Sequence, residues 1–592
     1  MTVVDAPSAS SRNPRGAPAL AARVRRAGHG LRARFPEAVH PAALLAGGVA
    51  AVFALTFSYL SVRNHNHFGT WSFDMGIYDQ GFWLTSRFTG SFVTVRGLEF
   101  WGQHVNLIVY AFVPFYWFGA GPAFLCAAQA TVVGLGAVPT YLIARDRLKS
   151  PWIALAFAST FVMYAPVEWL TEANFHPEAL VITPLLFAWW FARRGRWRPF
   201  FVAIVIALST REDVALVVTM LGLVLIVIHW RGLERDRKAA WWTLLLGGTW
   251  YAISTKVFIP HFNRGEEPFY IQYFYSEYGK NMREVVGTIV RHPNRVISAA
   301  VKSDRVRFYR DLLLPWGALS LGALPLLLMI APQMVASVIG TSPYARQIRY
   351  QYTSVMLAPI IIAAIEGARF ISRRLGVTLR IIAVWMLLCA AVSNVAWSPS
   401  PWGDLYRIWS GPPRHDRICQ PQPSCDHSQA HHNALRTAIR LVPTGARIAA
   451  TYAVLPHLAH RKVVFDWPNP FRPAYWGNNN ENLPDPGVVQ YLVLDRLHIG
   501  PQDQPTLAAL TAPGGEFEVL LDQANVLLAH RVRPPTAVPV IAPGRTGIPV
   551  PANATTLPTV PILPAPAAPV PASAVIGTAA TAATAPAAPV AH

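Results

Sequence analysis

Runs of about 20 apolar residues recur along this chain, and arginines fall in tight groups between them. A helix rises about 1.5 Å per residue, so a run of that length crosses a hydrocarbon core roughly 30 Å thick. The first run, "PAALLAGGVAAVFALTFSYL" from residue 41, follows seven arginines in residues 1–40 and has no small-residue cleavage site after it. It reads as a signal anchor whose basic tail stays inside. Further basic groups are "RDRLK" (145–149), "RRGRWR" (193–198), "RGLERDRK" (231–238) and "RRLGVTLR" (373–380). With 53% hydrophobic and 14% charged residues, the chain is a polytopic α-helical membrane protein. Its net charge of +20 sits in these loop groups, without a basic groove or stacking motif, which argues against nucleic acid as a partner.

Placing every basic group in the cytoplasm requires an even number of crossings between each pair. Spans at 41–62, 122–144, 152–167, 177–192, 197–210, 213–229, 240–258, 353–371 and 379–397 satisfy this if "VNLIVYAFVPFYWFG" (105–119) lies along the surface. The proline-broken stretch 312–340 is expected to cross twice, for about eleven spans. The resulting organisation is a cytoplasmic tail (1–40), a transmembrane domain (41–397) with an outer loop at 63–121, an extracytoplasmic α/β domain (398–535) and a disordered tail rich in Pro, Ala and Thr (536–592). The α/β reading rests on "ALRTAIRLVPTGARIAAT", a helix, turn and strand, and on the strand patterns "VQYLVLDRL" and "FEVLLDQANVLLAHR". Cys419 and Cys425 in "CQPQPSC" are either free or a small disulfide loop.

This topology gathers nearly every acid and histidine near a membrane boundary on the outer side. Four groups stand out. In "FDMGIYDQGFW" (73–83), Asp74 is either a loop acid or a general base or cation ligand at a polar–apolar boundary, and Asp79 one turn on is more a supporting acid. In "EWLTEANFHPE", Glu172, His176 and Glu178 are either a capped loop or a pocket, and their spacing matches no strong zinc motif. In "TREDVAL", Arg211, Glu212 and Asp213 interrupt two apolar runs with almost no loop, as an internal ion pair or as a functional cluster. In "SPYARQIRYQY", Arg346 and Arg349 with Tyr350 oppose the positive-inside trend, either as an interfacial belt or as phosphate ligands.

The order of these motifs, with "GQHVNLIVYAFVPFYWFG", "YLIARDRL", "NFHPEAL", "GARIAATYAVLPHLAHRKVVFDWP" and "YLVLDR", resembles a bacterial membrane protein family of unknown function, DUF2079, over roughly 60–535. That family is in turn similar to the GT-C glycosyltransferases, which use polyprenyl-phosphate sugars on the outer face. Their first outer loop carries an acid followed four residues later by Tyr, a spacing that Asp74 and Tyr78 share, and His104 stands where their second motif lies. Met75 replaces the second acid of their Asp-Glu pair, and His104 lacks the flanking prolines.

The resemblance implies a bacterial plasma-membrane enzyme of the inverting GT-C type. It would move a sugar from a polyprenyl-phosphate donor, a membrane lipid, to a cell-envelope glycan or protein. Asp74 and Asp79 are the catalytic candidates, and Tyr78, His104, Glu172, His176, Glu178, Arg211, Glu212, Asp213, Arg346, Arg349 and Tyr350 the binding ones. No cofactor is implied firmly, and a divalent cation (Mg or Mn) remains one alternative. A transporter or flippase of an anionic lipid or polymer would distribute acids across membrane depth and show internal repeats. A noncatalytic envelope assembly protein would tolerate Asp74→Asn.

Overall fold

The computed structural model describes residues 40–172, 174–263, 269–399, 428–477 and 483–533. The basic tail, Cys419, Cys425 and the Pro/Ala/Thr-rich tail lie outside the described residues.

The chain is a multi-pass helical membrane protein. Five helical stretches are long and apolar enough to cross a bilayer: Pro41–Asn66, Pro122–Leu148, Leu319–Ile339, Gln351–Leu375 and Leu379–Trp397. The pair Pro151–Val162 and Ala165–Glu172 makes a sixth when its 46° bend is taken as one span. Pro166 causes that bend, since it offers no N–H and its ring clashes with the carbonyl four residues back, at Val162. Helices Trp197–Leu208 and Val214–His229 are apolar but shorter, rising only about 18 and 24 Å. The surface segment expected at 105–119 contains a helix of nine residues, Val109–Trp117, too short to cross.

The stretch 312–340 is an unequal hairpin. The polar helix Ser303–Leu313 leads to a turn at Gly317 and Ala318, both with positive φ, and the apolar limb Leu319–Ile339 returns. At the open end of the hairpin Arg305 donates to the carbonyl of Val338, and Arg346 Nε lies 2.8 Å from Asp304.

The helices have one arginine-rich end and one polar end. At the first, Arg147 grips Glu366 (2.7 Å), Arg194 and Trp190 converge on Asp146, and Trp197 donates to Asp236 (2.7 Å). Basic groups distant in sequence therefore meet in space. At the other end, Ser61 donates to the carbonyl of Thr171, and the side chain of Gln129 binds Asn174 O and His176 N.

Beyond the spans, five strands form a mixed sheet. Taking Phe92–Val93 and Leu98–Glu99 as the two-stranded ribbon β1 and β2, these are β3 (Ile448–Ala450), β4 (Val464–Asp466), β5 (Tyr491–Asp495), β6 (Phe517–Gln523) and β7 (Val526–Arg531), in the order β4-β3-β5-β7-β6. The pairs β3–β4 and β3–β5 are parallel, and the β7 pairs are antiparallel.

This sheet shares its core with the loop at 63–101. Met75, Phe82, Val93, Leu455 and Val464 pack in one buried cluster. Burying each such side chain stabilises the union by roughly 1.5–3 kcal/mol. Hydrogen bonds add direction: Thr94 Oγ1 bridges Val464 N and O at 2.9 Å each, and Gln80 donates to Arg461 O. The sequence places a boundary at 398, yet the apolar core runs across it and fuses the first loop to the C-terminal sheet.

Candidate functional site: a cavity at the loop end of the helices

A cavity of about 670 Å³ opens where the segments 71–106, 169–172, 174–178, 211–216, 251–260, 270–282 and 333–352 meet Tyr452. Its walls include Asp74, Tyr78, His104, Glu172, His176, Glu178, Arg211, Glu212, Asp213, Arg349 and Tyr350, residues that the sequence alone separates by up to 276 positions (74 to 350).

Asp74 owes its place to an unusual backbone. It lies in the turn Ser72–Gly76, just before helix Ile77–Ser86, with φ 66° and ψ −82°, close to the rare and strained γ-turn. The N-terminal side of the turn is pinned twice. Trp71 N donates to Asn174 Oδ1 (3.0 Å), and Ser72 N donates to Tyr452 O (2.8 Å). Gly76 leaves room for Leu455, whose Cδ2 would stand 2.7 Å from a Cβ there and would have to shift.

His176 sits behind Asp74, with Nε2 3.2 Å from Asp74 Oδ2. Its Nδ1–H donates to the carbonyl of Asn174 at 2.8 Å. An attractive contact with the carboxylate then needs a proton on Nε2 as well, which makes the ring an imidazolium. Burial opposes that charge, but Asp74 and Glu178 outweigh it and raise His176 above its ordinary pKa.

A second ion pair joins His104 to Glu212 (2.8 Å), and Val105 N donates to the same carboxylate at 3.0 Å. Against burial, Glu212 raises His104, while His104 and Arg211 hold Glu212 low. The His104 ring also stacks on Tyr270 at 5.7 Å.

Three of the expected residues have contacts other than those their expected roles would use. Arg211 lines the cavity with its buried guanidinium gripped by both Glu178 and Asp213. Arg346 points away from the cavity and is held by Asp304 and the carbonyl of Gly340. Asp79, a catalytic candidate by sequence, is fully buried outside the cavity; Tyr116 OH donates to it at 2.8 Å and His460 Nε2 lies 3.1 Å away. Its helical position one turn past Asp74 turns it to another face, and the neighbouring Gln80 binds Thr94 and Arg461.

Two cations on the cavity wall have no ion-pair partner among the described residues, Arg349 and Lys256. Arg349 lies over the Trp169 ring at 5.3 Å and near Tyr350 at 6.0 Å. Lys256, Tyr270 and Tyr452 are lining residues that the sequence reading missed. The aromatic run "FYIQYFYSEYG" (269–279) was a usable signal for Tyr270, whereas Tyr452 arrives only through the C-terminal sheet. Among the described residues no group of three or more His, Cys, Asp or Glu could hold a metal ion, so Glu172, His176 and Glu178 do not form a metal cluster.

The sequence matches, over residues 64–527, the family described as "Predicted membrane protein (DUF2079)". The chain belongs to this family. No curated protein matches it. Among solved structures, ArnT from Cupriavidus metallidurans bound to undecaprenyl phosphate is similar at 14% identity and a TM-score of 0.45, covering 82% of this chain and 97% of that one.

Proposed function

We propose that this protein is a glycosyltransferase of the GT-C type that moves a sugar from a polyprenyl-phosphate donor to a cell-envelope acceptor on the outer face. The observation that carries the reading is the strained Asp74, backed by His176 and sharing one cavity with Arg349 and Lys256, cations without an ion-pair partner among the described residues. Base and anion site in one water-accessible pocket suit the transfer of a group from a phosphate to a hydroxyl.

In the proposed topology the arginine-rich end faces the cytoplasm and the cavity faces out, with the C-terminal sheet. The reading keeps the roughly eleven crossings expected from the sequence; five helical stretches, and a sixth as a bent pair, have the length and apolarity to cross by themselves. The shorter helices cross as members of the bundle, not as independent spans.

In the reaction, Asp74 accepts the proton of the acceptor hydroxyl as its oxygen attacks the anomeric carbon. The bond from that carbon to the phosphate oxygen breaks, and the pair of electrons leaves on the lipid phosphate. Arg349 and Lys256 stabilise the charge that develops there. His176 fixes the carboxylate's orientation. Attack opposite the leaving phosphate inverts the anomeric centre.

Replacing Asp74 with Asn keeps size and removes the proton acceptor. Transfer measured with purified protein in lipid is expected to fall about 10²–10⁴-fold, with donor binding retained. Full turnover by this variant would exclude Asp74 as the base and return weight to a noncatalytic role.

A further inference from the structure

The helices Met282–Arg291 and Pro293–Ala300 have an apolar side that the protein does not cover. Val285 and Ile289 face inward and pack with Tyr275, Tyr278, Val335 and Ile339. Beside them, one 100° step round the helix, Val286 and Val290 widen the apolar stripe as far as Arg283. Val290 is 73% exposed, and in the next helix Ile297 is 66% exposed, followed by Val301 at 69%. A helix bathed in water has no reason to carry its apolar stripe beyond the side it buries.

Cations border this bare side. Arg283, Arg291, Lys302 and Arg307 are exposed and stand in no ion pair among the described residues. Between residues 280 and 310 the chain has eight Lys or Arg against two acids, Glu284 and Asp304. Apolar side chains flanked by cations, on helices too short to cross, are the signature of a helix lying in a membrane interface. Continuity with the membrane domain supports the same occupant. These helices rest on Ala331–Ile339, the final turns of a membrane-length apolar stretch, and Met282 at their start lines the cavity.

We infer that residues 282–302 form an interfacial platform that inserts Val286, Val290, Ile297 and Val301 among acyl chains and engages anionic phospholipid headgroups through Arg283, Arg291 and Lys302. The inference rests on the membrane character of the chain and not on the transfer reaction. It places an anionic lipid surface directly beside the cavity mouth.

The test is photolabelling of the full-length protein in nanodiscs of phosphatidylcholine mixed equally with phosphatidylglycerol. One lipid at a time carries an acyl-chain diazirine, and adducts are mapped by peptide. Adducts are expected within 282–302 and, as an internal control, on the lipid-facing side of helix Pro41–Asn66 around Leu55. Each lysine or arginine near an anionic surface is worth roughly a fivefold enrichment, so labelling by phosphatidylglycerol should exceed that by phosphatidylcholine at least about fivefold. Val290→Glu with Ile297→Glu should abolish the adducts in this segment and spare those around Leu55. Arg283→Gln with Arg291→Gln should bring the two lipids to parity. Adducts around Leu55 alone would overturn the platform, equal labelling by both lipids in the parent protein would overturn its anionic preference, and cross-linking of this segment to a co-purified protein instead of lipid would assign the surface to that partner. Loss of transfer activity with the labelling intact would fail the transferase reading only.

Discussion

Arg211 and Arg349 both line the cavity, and their surroundings give them opposite fates. Arg211 is buried and clamped between Glu178 and Asp213. Truncating it to Ala leaves two carboxylates without their counter-ion at the bundle's polar end. Breaking a buried pair in this way costs about 3–5 kcal/mol, a large share of the stability of an ordinary domain. Arg349 holds no carboxylate among the described residues, and its visible contacts are the faces of Trp169 and Tyr350. Losing such cation–π contacts costs only about 0.5–1 kcal/mol. A charge-assisted hydrogen bond to a phosphate is worth about 1.5–3 kcal/mol, so Arg349→Ala should weaken binding of a polyprenyl-phosphate donor roughly 10- to 150-fold. Arg349→Lys keeps the charge without the planar fork and should fall between Ala and the parent protein. The assay is paired: thermal unfolding in detergent for both arginines, and donor titration on whatever remains folded. Arg211→Ala should lose its melting transition or shift it far down, while Arg349→Ala melts near the parent and binds poorly. A stable Arg211→Ala that loses donor, beside an Arg349→Ala that binds normally, would reverse the two assignments.

Asp79→Asn should lower stability by about 1–3 kcal/mol through the weakened Tyr116 and His460 contacts and leave donor affinity unchanged; a specific loss of transfer at full stability would restore it as a catalytic candidate. Asp466, at the end of β4, is pushed by burial up to about 7, against the opposing pull of Ser72 and Arg96. The folded state therefore holds its proton where the unfolded chain has released it, so this group's contribution to stability declines as pH rises from about 4 to about 7. Asp466→Asn should flatten that decline and melt higher than the parent above pH ~7, with equal melting curves across pH refuting the assignment. For topology, a cysteine replacing Phe88, 84% exposed at the cavity end, should react with an impermeant thiol reagent from outside, and one replacing Lys238 should not; the reverse pattern would turn the cavity toward the cytoplasm.

The sequence determined the membrane class, the grouping of basic residues at one end of the bundle, and the convergence of Asp74, His176, Glu212 and Arg349 at the other. Those readings depend on apolar run length and on where charge is tolerated, both local properties that the bilayer imposes on each segment separately. It could not tell Arg211 from Arg349, since each is an arginine at a membrane boundary. Only the packed structure shows that one is already neutralised by Glu178 and Asp213 while the other faces the cavity on Trp169. For Asp74 over Asp79 the sequence offered a preference, the Tyr four residues on, but no physical reason. The choice comes from a turn held at positive φ by Asn174 and Tyr452, which are 100 and 378 residues further along the chain (174 and 452 against 74). The union of the first loop with β4, through Thr94 and Val464, was hidden for the same reason. Periodicity reports which face of a segment is apolar and never which distant segment will cover it, and that pairing is settled by the tertiary fold.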